Sequence, residues 1–180
     1  AHLLPALEAA LSERVDAVGA GRVLRDIELP LCMLLSRMEE RGFKLDRAGM
    51  EHFRGQLENA MNATAEKIYY LAGETFNLNS PRQLGQILFE KLGLPVERKT
   101  KTGYSTDSEV LNHLRRIHPI VGEILDYRQI SKLYATYAVG LLKMTDENDR
   151  LHTDFKQALT ATGRLSSAEP NLQNIPIRTE

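Results

Sequence analysis

Apolar residues recur at steps of three and four along most of this chain, the spacing of one buried face on an α-helix. Between Val23 and Arg41 the series is Ile27, Leu31, Leu34, Leu35 and Met38, and Gly42 supplies a stop. Phe43-Lys44-Leu45 reads as a short extended piece. Asp46 is then placed to cap a long helix over roughly 47–72, with the stripe Met50, Phe53, Leu57, Ala60, Thr64, Ile68 and Leu71 closed by Gly73. Ser80-Pro81-Arg82-Gln83 predicts a capped start for a short helix that buries Leu84, Ile87 and Leu88 and ends at Gly93. Thr106 with Glu109 predicts a second capping box, opening a short helix with Val110, Leu111 and Leu114. His118-Pro119 breaks it. A last long helix runs from about Ile120 to Met144 with Ile124, Leu125, Ile130, Leu133, Tyr137 and Leu141, and Leu133 and Tyr137 are read as core.

Two long helices of similar length, each about 40 Å at 1.5 Å per residue, are separated by an excursion over 73–119. The expected architecture is mainly α: a long antiparallel helix pair with a small helical tip, followed by a short β and loop segment. After Met144 the pattern changes. Thr145 to Asp149 is an acidic turn, and Leu151, Thr153 and Phe155 alternate with His152, Asp154 and Lys156, which predicts a strand at about 151–155. From Thr160 to Pro176 the chain is dense in amides and hydroxyls, with Arg164 beside Gly163. Composition alone makes that stretch a surface loop or a binding element.

Charge adds one feature. The 180 residues carry a net charge of -1, yet residues 81–132 hold 9 basic against 6 acidic groups while the flanking stretches are each slightly acidic. A local basic excess steers anionic partners even on a near-neutral chain; a solvated charged face is the alternative. Within this block, Glu97 to Thr106 has three cations, four Ser or Thr hydroxyls and one glycine. Such donors at a helix start suit phosphate oxygens, and a polar loop without a partner is the other reading.

Composition excludes several classes. Hydrophobic residues at 42% and charged residues at 26% are ordinary globular usage. The apolar runs are too short to span a bilayer, and no signal peptide is recognisable. Ala1 in place of an initiating Met is expected of a processed or excised piece. Cys32 is the single cysteine, so no internal disulfide and no multi-cysteine zinc site is formed; a reducing, cytoplasmic compartment is expected.

A resemblance covers about residues 24–180. Thr162-Gly163-Arg164-Leu165-Ser166-Ser167, followed by Pro170-Asn171-Leu172-Gln173-Asn174-Ile175-Pro176, resembles the segment entering the palm of family A DNA polymerases, the bacterial polymerase I type. Phe76-Asn77-Leu78-Asn79-Ser80-Pro81, Gln83-Leu84 and Lys99 to Thr106 resemble their thumb. So do Tyr127-Arg128, Lys132-Leu133, Thr136-Tyr137, and His152-Thr153 with Phe155. The resemblance implies three parts: residues 1–27 as the tail of a 3′–5′ exonuclease-like domain, 28–146 as thumb, and 147–180 as the start of the palm.

The resemblance further implies a primer–template DNA partner, with deoxynucleotide triphosphates and two Mg2+ ions used by the parent enzyme in replication and repair. The family's Asp-Tyr-Ser motif, its fingers helix and its His-Asp-Glu motif do not occur in this sequence. Two-metal phosphoryl transfer needs closely placed carboxylates. No catalytic or metal residue is therefore expected in this chain, which is expected not to extend a primer by itself. Asp146, Glu147 and Asp149 are read as a solvated turn and His152 as a strand surface residue.

Sequence-independent grip suits the minor groove, where every base pair offers an acceptor. The resemblance assigns Arg164 to that contact near the primer end; a brace to Glu169 or to a main-chain carbonyl is its structural alternative. Asn171, Gln173 and Asn174 are candidate partners for sugar, phosphate or base edge. Lys99, Lys101, Ser105 and Thr106 are expected to follow the backbone from the tip, with Lys132 and Thr136 facing the duplex from the last long helix. A stand-alone helical DNA-binding module and a protein-interaction module are the remaining classes. Because the strand at 151–155 lacks palm neighbours, residues after about 145 are expected to be mobile or to pair with a second copy.

Overall fold

The computed structural model describes residues 3–100 and 103–175. It is mostly helical with a few short strands, and it divides into two compact units, residues 46–143 and residues 1–45 with 144–180.

The first unit begins where Asp46, in extended conformation, accepts a hydrogen bond from the Gly49 N–H at 3.0 Å and starts α4 (Arg47–Ala72). Gly73 ends it with φ 73°, a left-handed geometry that a Cβ disfavours. The buried line on α4 is Leu57, Thr64, Ile68 and Ala72; Ala60, expected in the stripe, is exposed. Thr64 is tolerated there because its hydroxyl donates to the Ala60 carbonyl at 2.9 Å. The partner helix is α7 (Pro119–Leu133), and His118 caps it by accepting from the Ile120 N–H. Ile68 and Ala72, late in α4, share a core with Ile120, Val121 and Ile124, early in α7. Lys67 pairs with Glu123 at 3.6 Å. The two helices are therefore antiparallel, as their lengths suggested.

The last helix is not continuous. After α7 a π-helical segment, Tyr134–Val139, precedes α8 (Gly140–Met144). A wide turn adds one residue without changing the apolar character of the face, so spacing alone does not reveal it. Ala138 and Leu141 are buried in this region, whereas Leu133 and Tyr137, expected in the core, are only half-buried.

The excursion forms the tip. It consists of α5 (Pro81–Gly85), a π-helical turn Gln86–Lys91, the hairpin β2 (Lys99–Thr100) with β3 (Gly103–Tyr104), and α6 (Ser108–Leu114). Leu84, Ile87, Leu88 and Phe89 meet Val110, Leu111 and Leu114 in the same core as the ends of α4 and α7. Both helix starts depart from the expected capping boxes. Ser80 does accept from the Gln83 N–H, at 3.4 Å, but the Gln83 amide oxygen reaches past it to the Asn77 N–H at 2.7 Å. At α6 the cap is Asp107, which accepts from the Val110 N–H at 2.9 Å, and not Thr106. A carboxylate one residue later outcompetes the hydroxyl for the same orphan donors.

The second unit contains α1 (Leu4–Ala17), α2 (Gly21–Val23), a π-helical turn Leu24–Glu28, and α3 (Leu29–Arg41). It also contains β1 (Phe43–Lys44), β4 (Arg150–Leu151), β5 (Asp154–Lys156) and β6 (Ser166–Ala168). On α3 only Leu35 is buried; Ile27, Leu34 and Met38 of the expected stripe are exposed. The extended piece after Gly42 finds a role: Phe43 pairs with Leu151 and Lys44 with Arg150, antiparallel. β5 and β6 form an antiparallel hairpin with Phe155 opposite Ser167.

These pairings correct the expectation of a mobile or intermolecular strand. The partner strand lies more than 100 residues upstream, which no local pattern reports. Amide protection at Leu151 and Phe155 is accordingly expected to be equal at micromolar and millimolar chain concentration, read by hydrogen exchange; protection that grows with concentration would restore the intermolecular reading. No helix among the described residues is long and apolar enough to cross a membrane.

Candidate nucleic-acid interface

The candidate residues fall into two groups, one in each unit. At the tip, Lys99 sits exposed on β2 opposite Tyr104 and lies 5.8 Å from the centre of that ring. Tyr104 packs in turn on Phe89 at 5.0 Å and over Gly85, where a Cβ would stand only 3.2 Å from it. The hairpin is thus seated on α5 by an aromatic contact that glycine permits. Lys101 lies outside the described residues.

Ser105 and Thr106 are buried, at 6% and 5% exposure. The Ser105 hydroxyl donates to Asp107 at 2.7 Å, and the Thr106 hydroxyl accepts from Arg128 at 3.1 Å. As placed, they shape the loop, and the Ser105 proton is not available to a phosphate. Asp107 joins three partners, since Arg98 also pairs with it.

Arg128, on α7, is a functional candidate to which the sequence pattern assigned no role. Its guanidinium is half-buried, donates to the Thr106 carbonyl and hydroxyl, and pairs with no carboxylate among the described residues. Burial lowers its proton affinity below the ordinary arginine value, but a guanidinium stays charged. It forms one wall of an open groove of about 1030 Å³ that Arg82, Gln86 and Tyr104 also line. One turn further along, Lys132 is exposed, and Thr136 follows on the π-helical segment. Neither side chain makes a hydrogen bond or ion pair among the described residues. Spacing could have revealed Arg128 as a cation one turn before Lys132; its burial could not be read before the fold.

In the other unit, Arg164 stands in the connection between β5 and β6, just after Gly163 (φ 74°). Thr160 braces the turn by donating to the Arg164 carbonyl at 2.6 Å. Gln173 spans the loop: its amide oxygen accepts from the Ser167 N–H at 3.2 Å and its amide nitrogen donates to the Leu165 carbonyl at 2.8 Å. Asn171 accepts from the Gln173 N–H at 2.9 Å, and Asn174 is exposed. The polar density of this segment is therefore largely spent on holding the loop. The Arg164 guanidinium is exposed and makes no hydrogen bond or ion pair among the described residues, so the brace to Glu169 is not formed.

Among the described residues no three His, Cys, Asp or Glu side chains come together in a way that could hold a metal ion. Asp146 spends its carboxylate on the Arg150 and Asn148 N–H groups and on His152. Those main-chain bonds, with Arg150 first, hold its pKa below the usual carboxylate value. The described residues do not fit a two-metal centre.

Comparison with known proteins supplies the family. A family model described as DNA polymerase family A matches residues 47–180. DNA polymerase I of Bacillus subtilis (strain 168) is 54% identical over 159 residues, which cover 88% of this chain and 18% of that protein. DNA polymerase I of Geobacillus stearothermophilus is 51% identical over 176 residues, 97% of this chain and 20% of that protein. The solved POL domain of Pol1 from M. smegmatis, in complex with DNA primer-template and dNTP, matches with a TM-score of 0.84 at 40% identity, covering 96% of this chain and 30% of that one. The chain spans about one fifth of the length of the two relatives. With the family model matched over most of its residues, the chain belongs to DNA polymerase family A.

Proposed function

We propose that this chain is the part of a DNA-directed DNA polymerase that holds the primer–template duplex, in an enzyme that serves replication and repair. In this reading residues 28–146 are the thumb, 1–27 the tail of an exonuclease-like domain, and 147–180 the start of the palm. Nucleotide triphosphates and two Mg2+ ions act in the parent enzyme, on carboxylates that this chain does not supply.

One observation carries the reading. Lys132 and Arg164 are left exposed and without an ion pair among the described residues, and around Arg164 the side chains of Thr160 and Gln173 are consumed in building the loop. Lys99 adds charge from the tip hairpin, and Lys101 follows it two positions later in the sequence. Ser105, Thr106, Asn171, Gln173 and Asn174 belong to the interface chiefly by setting the shape of the two loops. Arg128 adds positive potential beside the groove without leaving its own hydrogen bonds.

Duplex binding by the 180-residue chain is expected to be weak, independent of sequence and steeply weakened by salt. Replacing Lys99 and Lys101 by alanine is expected to flatten the log–log salt slope by up to about two units, one for each phosphate that is no longer neutralised. Fluorescence anisotropy of a labelled duplex across a salt series measures it; an unchanged slope moves the DNA surface away from the tip. The second reading, a protein-interaction module, draws on the exposed apolar residues Leu4, Leu7, Leu11, Ile27, Leu34 and Met38. It predicts no salt-dependent duplex binding at all.

A further inference from the structure

The arm over residues 146–157 is fastened to α3 and to the residues just before and after it. Arg150 donates to the carbonyls of Arg41 and Gly42 at 3.2 and 3.0 Å, and the Phe155 N–H donates to the Glu39 carboxylate at 2.6 Å. Gln157 donates to the carbonyl and carboxylate of Glu28 at 2.8 and 2.6 Å. On the other side of the arm, the buried Thr153 hydroxyl faces the carbonyls of Ala168 and Pro170 at 3.1 and 2.7 Å. The hairpin that carries Arg164 grows directly from this arm.

His152 sits at the centre of the fastening. Its Nδ1 lies 2.7 Å from the Glu39 carbonyl oxygen, and its Nε2 lies 3.3 Å from a carboxylate oxygen of Asp146. Both ring nitrogens face acceptors. Only the imidazolium donates to both, because a neutral ring always turns one lone pair toward an oxygen. The Glu39 carbonyl also belongs to the last turn of α3, where the helix dipole favours a cation.

We propose that His152 is a proton-operated clamp that positions the 146–157 arm, and through it the Arg164 loop, on the end of α3. This assigns His152 a positioning role that goes beyond the DNA reading and does not depend on it. The charged groups around the ring are Asp146 and Arg150 on its own arm and Glu39 on α3. From β1, Lys44 is tied to the same turn through the Asn148 carbonyl and Asp149.

The Glu39 carbonyl first, then Asp146, raise the imidazole pKa above its ordinary value; Arg150 opposes them. A raised pKa contributes stability that is complete below the unfolded value near 6.5 and is lost as pH rises through the folded value. Asp146 is depressed, so its contribution is lost only as pH falls through the folded carboxylate value. The clamp is thus closed between the two titrations and opens on the alkaline side.

Nuclear magnetic resonance on the 180-residue chain tests this, with the His152 ring shifts and the exchange of the Phe155, Leu165 and Ser167 amides followed from about pH 5.5 to about pH 8.5, a window that spans the ordinary histidine titration. After correction for intrinsic exchange, protection is expected to fall roughly two- to fivefold as the ring loses its proton. His152→Gln donates without titrating and is expected to remove that pH step while keeping the hairpin. Asp146→Asn is expected to lower the midpoint of the ring. A wild-type ring that titrates at or below the ordinary value overturns the proposal, whatever the variants do. So does a pH step of the same size in His152→Gln.

Discussion

Leu111→Ala is expected to destabilise residues 46–143 by about 3 kcal/mol, within the roughly 2–5 kcal/mol range of buried leucine truncations. Leu111 is fully buried and belongs to the cluster in which α5, its π-helical extension and α6 meet the ends of α4 and α7. The loss combines the transfer of its side chain with the cavity left behind, and five elements anchored to one another relax poorly into such a space. Ile117 is 56% exposed at the turn after α6, and its alanine variant is expected to stay within about 0.5 kcal/mol of wild type. With no tryptophan in the chain, urea unfolding is best followed by far-ultraviolet circular dichroism, and hydrogen exchange assigns the loss to residues 46–143. A loss below about 1 kcal/mol would mean that the tip repacks and does not act as the rigid end of the helix pair.

On the proposed function, Arg164→Ala in the parent polymerase is expected to slow nucleotide incorporation by roughly 1.5–3 kcal/mol, the range of a hydrogen bond to a charged group. That corresponds to roughly 10- to 150-fold in single-turnover rate. Loss of activity alone would also follow if the arginine braced its loop. Two measurements separate the roles. The melting temperature of the 180-residue chain is expected to be unchanged by Arg164→Ala, because the guanidinium has no partner among the described residues. In the polymerase, a terminal primer purine with carbon in place of N3 removes the acceptor of the same contact, so the two changes are expected to be non-additive. Lysine is expected to rescue in part, since a point charge does not reproduce the planar fork. Full additivity would reject a direct contact.

Local chemistry made much of this legible in the sequence. The bounds of α4 follow from Asp46 and Gly73, a cap and a left-handed stop that act within one turn. The helix starts at Ser80 and His118 are likewise local events. Tertiary competition decided what was misread. Thr106 lost the cap of α6 to Asp107 while its own hydroxyl turned to Arg128, 22 residues away. Phe43-Lys44 looked like an isolated extended piece until Arg150–Leu151 supplied its ladder. The candidate cations Lys99, Lys132 and Arg164 were legible as charges in polar surroundings. That Ser105, Thr106 and Gln173 spend their polar groups inside the loops needed the fold, because hydrogen-bond partners are not ordered along the chain.

The wide turn over Tyr134–Val139 gives the last long helix slack in length. A π-turn behaves as an α-helix with one residue spliced in. Deleting one of these six residues would restore a regular helix and leave Gly140–Met144 on the same face, because the wider turn is what absorbs the extra residue. Leu141, now 6% exposed, would keep its buried position, and only the side chains within the turn would be re-aimed. The same deletion inside α7 has no such slack and would turn everything after it through about 100°. Within the family, one-residue differences in length are expected at this turn more readily than within α7.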